Sequence, residues 1–260
     1  LRLLMLGNGI VHGMHNPAMV WYGDHSLYFD GTNDFSLFEA GGSNTASTAL
    51  INSMRISLWV QMKTIGNDQS ILYIKDADGN AYLKLWYDLS AEQLVVTRTD
   101  GNGNNPVSLQ HDYTVEEAKE NRTNIQVKIE ATGMSISTTA ESVSVTATAS
   151  SGSGGWSEDV NPEFYLGRDL STGSELFNGW ISNLAIWSQA DLWGTVNNAD
   201  VFNSGYPKNE LETVNAALFL YYIVSETTIQ ANQQEVTQSL ARNSIINHHG
   251  PILVTHGQTS

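Results

Sequence analysis

The chain has no cysteine, so neither disulfides nor thiolate metal sites can hold its fold. Such a fold rests on its core, and 260 residues suffice to bury one as a single large β domain, or as one domain with extensions. Charge is scarce as well: Asp, Glu, Lys and Arg make up 15% of the residues, against ~25% in ordinary globular proteins. Basic residues are the scarcest. The 12 Lys and Arg face 27 Asp and Glu, a net charge of −15. Phosphate backbones are bound by clustered Lys and Arg; none cluster here, so nucleic acid is not an expected partner. Long apolar runs are also missing. No segment approaches the roughly 18–20 apolar residues of a membrane-spanning helix, so no membrane is expected. Residues 3–6 are too few for a signal-peptide core and are broken at once by Gly7-Asn8-Gly9. Leu1 is not an initiator methionine, as expected of a processed or truncated chain.

What fills the space is Ser, Thr, Asn, Gln and Gly, alongside an ordinary 41% of apolar residues. This is the profile of many β-sandwiches and of extracellular or particle-surface proteins. Catalytic signatures are sparse: there is no Gly-x-Ser-x-Gly elbow, no Cys nucleophile, no His-Glu-x-x-His and no phosphate loop. His12, His15, His248 and His249 lie without a carboxylate at ligand spacing and read as surface or interface histidines.

The chain is organised around residues 162–188. There Phe164 to Arg168 forms a short aromatic strand and Gly179 to Trp187 a longer one, joined by the turn-rich loop DLSTGSELFN. The long strand is apolar at both parities, so it predicts a central strand covered on both faces. Upstream, residues 54–63 alternate Ile56, Leu58, Val60 and Met62 with Ser57, Trp59, Gln61 and Lys63. Residues 70–75 and 81–87 flank an Asp-Gly turn at 76–80, which predicts a hairpin. Strands follow at 93–98, 125–129, 134–136 and 143–147, and a last one at 217–224, with polar faces of Ser and Thr. One short helix is expected at 114–121, with Thr114 as cap and Glu116 and Glu117 in its first turn. Many short strands with almost no helix predict an all-β antiparallel β-sandwich. Its extent is set at residues 25–224, with an N-terminal arm at 1–24 and a C-terminal extension at 225–260 that packs on the sandwich or on a neighbour. The arm has no period but is dense in apolar side chains, unlike a disordered tail. Leu3, Leu4, Leu6, Ile10 and Trp21 are its candidate docking residues, either on the sandwich itself or on another subunit.

Leu27-Tyr28-Phe29-Asp30-Gly31-Thr32-Asn33-Asp34, then Ile56-Ser57-Leu58-Trp59-Val60, then Tyr165-Leu166-Gly167-Arg168 and residues 177–187 follow in an order and spacing that resemble the laminin-G-like, concanavalin-A-like lectin and glucanase superfamily. Leu27-Tyr28-Phe29-Asp30-Gly31-Thr32-Asn33-Asp34 is similar to its opening L-x-F-D-G-x-N-D strand and turn, and Ile56-Ser57-Leu58-Trp59-Val60 to its I-S-x-W-V strand. Tyr165-Leu166-Gly167-Arg168 and then Phe177 to Trp187 resemble its closing strands. Asp200-Val201-Phe202-Asn203-Ser204-Gly205-Tyr206-Pro207 resembles the tail of such domains in phage structural proteins. Residues 218–222 and 241–250 are similar to the segment that usually leads the unit, which permits completion of the sandwich in permuted order or a vestigial second repeat. Two places depart from the pattern: Asn121-Arg122-Thr123-Asn124 replaces the family's Trp-His, and MSISTTAESVSV replaces its Y-x-N-G hairpin.

The resemblance implies a concanavalin-A-like jelly roll and a non-enzymatic virion structural protein. The expected role is a capsid decoration or head-surface protein with a lectin-like domain for host or environmental glycans. Capsid or other virion proteins are the implied partners, with a homo-oligomeric or lattice-bound state. A tail fibre or receptor-binding protein, or a free carbohydrate-binding module, are the alternatives. The glucanase branch needs E-x-D-x-x-E on one strand. The nearest string, Glu158-Asp159-Val160-Asn161-Pro162-Glu163, has the wrong spacing and a strand-breaking Pro. No cofactor is expected beyond a possible calcium ion, for which Asp76, Asp78 and Asn80 are the candidate ligands. Asp30 and Asp34 form a second acidic cluster, and turn geometry accounts for both clusters equally well. Candidate glycan contacts are Trp156, Tyr206, Asn102 and Asn104, with Trp193 as a further aromatic, whereas Trp59, Trp86, Trp180 and Trp187 read as core.

Overall fold

A computed structural model describes residues 25–40, 54–75, 82–99, 106–130, 133–140, 143–149, 163–169, 173–187, 218–222, 244–249 and 252–255. The arm residues Leu3, Leu4, Leu6, Ile10 and Trp21 lie outside these, as do Asp76, Asp78, Asn80, Asn102, Asn104, Trp156, Trp193 and Tyr206.

Fifteen strands and one short helix follow in order among the described residues: β1 (His25–Asp30), β2 (Phe35–Ala40), β3 (Met54–Met62), β4 (Gln69–Lys75), β5 (Tyr82–Asp88), β6 (Gln93–Arg98), β7 (Val107–Asp112), α1 (Val115–Glu120), β8 (Thr123–Glu130), β9 (Gly133–Ala140), β10 (Val143–Ala149), β11 (Glu163–Leu166), β12 (Asn178–Trp187), β13 (Leu218–Tyr222), β14 (Ser244–His249) and β15 (Ile252–Thr255). They form two antiparallel sheets. An eight-stranded sheet runs β10-β9-β8-β3-β12-β1-β15, with β13 also on β12, and a seven-stranded sheet runs β14-β2-β11-β4-β5-β6-β7. No strand was predicted at 244–249 or 252–255, although completion of the sandwich by residues 241–250 was one of the two expectations for that segment; the two strands pair with β2 and β1, one at the flank of each sheet. Two further strands, β2 and β7, were also not anticipated.

The core lies between the sheets. Ile56, Leu58, Val60 and Met62 of β3 face it, with Ile125, Val127 and Ile129 of β8 and Leu27 and Phe29 of β1. Leu72 and Ile74 of β4, Leu83, Leu85 and Tyr87 of β5, Leu94 and Val96 of β6, and Phe164 and Leu166 of β11 complete it from the other sheet. Each of these fully buried aliphatic and Phe side chains contributes roughly 1.5–3 kcal/mol of transfer free energy.

The long strand β12 departs from simple alternation. Between Ser182 and Ala185 its register with β3 shifts, and Asn183 sits at φ 51. This bulge inserts a residue, so Ile181, Leu184 and Ile186 all reach the core although their spacing is odd. Trp180 falls on the opposite face, half-buried beside Tyr28 at 5.4 Å between ring centroids, with the Lys63 ammonium 4.8 Å from the Tyr28 ring. The tryptophans are therefore not one group. Trp180 and Trp86 are half-buried outside the core, while Trp59 is buried on the outer face of its sheet under the Arg122 guanidinium, 4.6 Å away.

The polar side of β3 is buried too. Gln126 accepts from Arg55, and its amide donates to Asn124 at 2.7 Å; Asn124 donates in turn to Ser57 Oγ at 3.0 Å. Such a chain satisfies groups whose burial would otherwise cost about 1–3 kcal/mol each. Helix α1 begins as its sequence predicts. Glu117 N–H donates to Thr114 Oγ1 at 3.2 Å, and the Glu117 carboxylate accepts from Thr114 N–H at 2.8 Å, a capping box.

Candidate functional site

The outer face of the seven-stranded sheet gathers chemistry that the sequence scatters. By register Tyr165 of β11 lies opposite Tyr73 of β4, which lies opposite Lys84 of β5, then Thr97 of β6 and Ser108 of β7. Alternation places all of these on the side away from the core. Phe35 and Tyr82 join the row diagonally. Ring centroids step from Phe35 to Tyr165 (6.2 Å), to Tyr73 (6.4 Å) and to Tyr82 (5.7 Å, nearly parallel at 24°). Four strands at the usual spacing make this aromatic row about 14 Å long. Phe35, Tyr82 and the neighbouring Trp86 are half-buried, leaving part of each ring to solvent, while Tyr73 and Tyr165 are buried beneath.

Ions border the row. The Lys84 ammonium contacts Asp169 Oδ2 at 2.6 Å and the Glu175 carboxylate, and lies 4.8 Å from the Trp86 ring. Asp169 is fully buried. Lys75 pairs with Glu163 at 2.9 Å and lies 5.8 Å from the Tyr165 ring. Burial alone would raise the Glu163 carboxyl, but the Tyr165 hydroxyl and the Lys75 ammonium outweigh it and hold the group below the usual carboxylate range. Arg168 stacks its guanidinium 5.1 Å from the Phe35 ring.

The segment joining β11 to β12 brings Arg168, Asp169 and Glu175 here. Its backbone is fastened to the start of β4: Gly167 N–H donates to Ile71 O at 3.0 Å and Ser70 N–H to Glu175 O at 3.2 Å. Within the segment, Phe177 N–H donates to Gly167 O at 2.9 Å. Gly167 turns the chain at φ 82, and a Cβ there would stand 2.6 Å from the Phe29 ring, so only glycine fits. The turn directs Arg168 and Asp169 to the outer face. Composition marked this segment as a turn-rich loop; that its carboxylates converge on Lys84, far away in sequence, is a product of sheet register.

The other acidic cluster is built as a turn. Thr32 N–H donates to Asp30 Oδ1 at 2.7 Å, and Asp30 N–H donates to Asp34 Oδ2 at 2.9 Å. Burial raises the Asp34 carboxyl, against that backbone hydrogen bond. Among the described residues no group of three or more His, Asp or Glu side chains is placed to hold a metal ion. No helix among them is long and apolar enough to cross a membrane.

This two-sheet architecture is the concanavalin-A-like jelly roll. No protein-family model matches the sequence. A search of curated proteins returns no match. Among solved structures, the chain is similar to a candidate carbohydrate-binding protein of Bacteroides ovatus, with a TM-score of 0.59 and 12% identity over 90% of this chain and 60% of that one. It is also similar to the heptameric SAP-like pentraxin of Limulus polyphemus, with a TM-score of 0.50 and 12% identity over 79% of this chain and 94% of that one. The LG1-3 region of the laminin α2 chain matches at a TM-score of 0.49 and 12% identity, over 66% of this chain. The chain spans 32% of that laminin structure's length. At these identities the likeness to the first two structures defines the fold.

Proposed function

We propose that this is a non-enzymatic, lectin-like glycan-binding domain whose ligand lies along the aromatic row of the seven-stranded sheet. The observation that carries this reading is the series Phe35, Tyr165, Tyr73, Tyr82, with Trp86 beside it and charged groups along its border. A sugar ring offers C–H faces that pack on aromatic rings and hydroxyls that require fixed donors and acceptors at the edge. This face supplies both kinds of contact. The fold likeness to a candidate carbohydrate-binding protein is consistent with it. A hydrolase is less well supported, because Asp169 and Glu175 both contact one ammonium and Glu163 pairs with Lys75, so these carboxylates are engaged in ion pairs rather than set on either side of an open cleft.

The setting we propose is the surface of a virus particle, as a capsid decoration or head-surface protein. Its supports are the acidic, cysteine-free composition, the apolar segment at 1–24 and the phage-like residues 200–207. The test begins with a glycan array on the purified protein, run with calcium and with chelator. A glycan hit whose affinity falls at least tenfold in Tyr82→Ala and Trp86→Ala, with both variants folded, is the expected result. Unchanged affinity in both variants overturns the site. Co-purification with particles at fixed stoichiometry, lost on deleting residues 1–24, is expected of the particle setting. Strong sugar binding by a free monomer that never joins a particle counts against that setting.

A further inference from the structure

Arg168 differs from the other cations on this face. Lys75 has Glu163, and Lys84 has Asp169 and Glu175, as carboxylate partners. Arg168 has no carboxylate within ion-pair reach among the described residues. Its guanidinium lies against Phe35 at one end of the aromatic row, and its Nε is buried without a hydrogen-bond partner among the described residues. The side chain is itself only half-buried.

Position and chemistry combine here. Gly167 fixes the turn that aims Arg168 along the outer face, and stacking on Phe35 restricts the guanidinium plane. A planar guanidinium held by an aromatic ring keeps its N–H donors for a planar two-oxygen acceptor, and its fork matches a carboxylate. We infer that the ligand of the aromatic row is an acidic glycan, one of whose sugars carries a carboxylate that Arg168 binds in bidentate fashion while its ring packs on the exposed part of Phe35. This rests on the glycan-binding reading above and names the ligand class. The net charge of −15 does not oppose it at contact range, since exposed charges more than about 8 Å away are largely screened at physiological salt.

The experiment uses the full chain and a panel of uronate- and sialate-bearing oligosaccharides, each paired with its carboxyl-reduced neutral counterpart, plus sulfated oligosaccharides. Affinities are measured by calorimetry for wild type, Arg168→Gln and Arg168→Lys. The expected result is a preference of at least tenfold for an acidic member over its reduced partner. Arg168→Gln should abolish that preference, and Arg168→Lys should restore it only in part, because the ammonium lacks the fork. Equal binding of the acidic and neutral members, or a preference that survives Arg168→Gln, overturns the inference while leaving glycan binding standing. Binding of sulfated members alone overturns the carboxylate assignment. If no glycan binds and Tyr82→Ala changes nothing, the underlying functional reading fails instead.

Discussion

Replacing Lys84 by Met tests the ionic part of the site at its most buried point. The substitution removes an ammonium that contacts the fully buried Asp169 and the partly buried Glu175. The Met side chain fills most of the vacated volume, so the change is electrostatic more than steric. Removing one partner of a buried pair leaves the other charge uncompensated, at a cost of about 3–5 kcal/mol. With a urea dependence of roughly 3 kcal/mol per molar for a domain of this size, the unfolding midpoint should fall by about 1–1.7 M. The double variant Lys84→Met with Asp169→Asn removes the ammonium and the fully buried carboxylate, leaving only the partly exposed Glu175 charged, and should recover more than half of that loss, because a neutral amide is far cheaper to bury than an isolated carboxylate. The assay is equilibrium unfolding followed by tryptophan fluorescence and circular dichroism in parallel. A loss below about 1 kcal/mol for Lys84→Met would refute the reasoning, placing the triad with exposed surface pairs. So would a double variant that is no better than the single one.

Three further outcomes are expected. Gly179→Ala should destabilise by roughly 2–4 kcal/mol, since its Cβ would stand 2.2 Å from Gln61 O and 2.8 Å from Met62 Cα, both backbone atoms, at φ 154; a loss under about 1 kcal/mol in thermal melts contradicts the close approach. Thr114→Ala should cost about 1 kcal/mol by removing the cap of α1, and Thr114→Ser should restore most of it. His111 is buried on β7, and its Nε2 shares a 2.8 Å hydrogen bond with Thr138 Oγ1 of β9, linking the two sheets. Burial lowers its folded pKa, against the pull of Asp112 and Glu117. The stability it contributes is therefore complete above the unfolded value of about 6.5 and fades as pH falls from there towards the folded value. The urea midpoint should drop more between pH 7.5 and 5.5 in wild type than in His111→Gln; equal drops would show that His111 does not titrate with unfolding.

The fold was legible where the side-chain period was clean. Residues 54–62 alternate without interruption and form β3, and Thr114 with Glu117 marks the helix start. Two equally regular stretches were missed. Val107, Leu109 and His111 alternate along β7 directly after a Gly/Asn-rich turn, and β2 follows so soon after the Asp-Gly turn that no break in the pattern separates strand from turn. Trp180 was misplaced for a physical reason. Parity along residues 179–187 implies two apolar faces, whereas the Asn183 bulge moves Leu184 and Ile186 onto the face of Ile181 and leaves Trp180 outside. No local pattern announces a bulge centred on a non-glycine residue at positive φ. The candidate site was hidden more deeply still. Tyr73, Tyr82, Lys84, Tyr165, Asp169 and Glu175 come from three separate stretches, and only sheet register sets them side by side.

The order of pairing also bears on how the molecule comes together. Among the described residues, β1 and β2 pair with no strand close to them in sequence: β1 pairs with β12 and β15, and β2 with β11 and β14. As the polypeptide leaves the ribosome, both must wait with open edges while most of the domain is synthesised, and His25 finally meets Thr255. Such distant closures are slow, and an unsatisfied strand edge readily recruits a neighbour. A nascent or truncated chain lacking residues 244–255 should thus be prone to capture a second copy by its unfilled flanks, making the last strands guardians of solubility as much as parts of the sandwich.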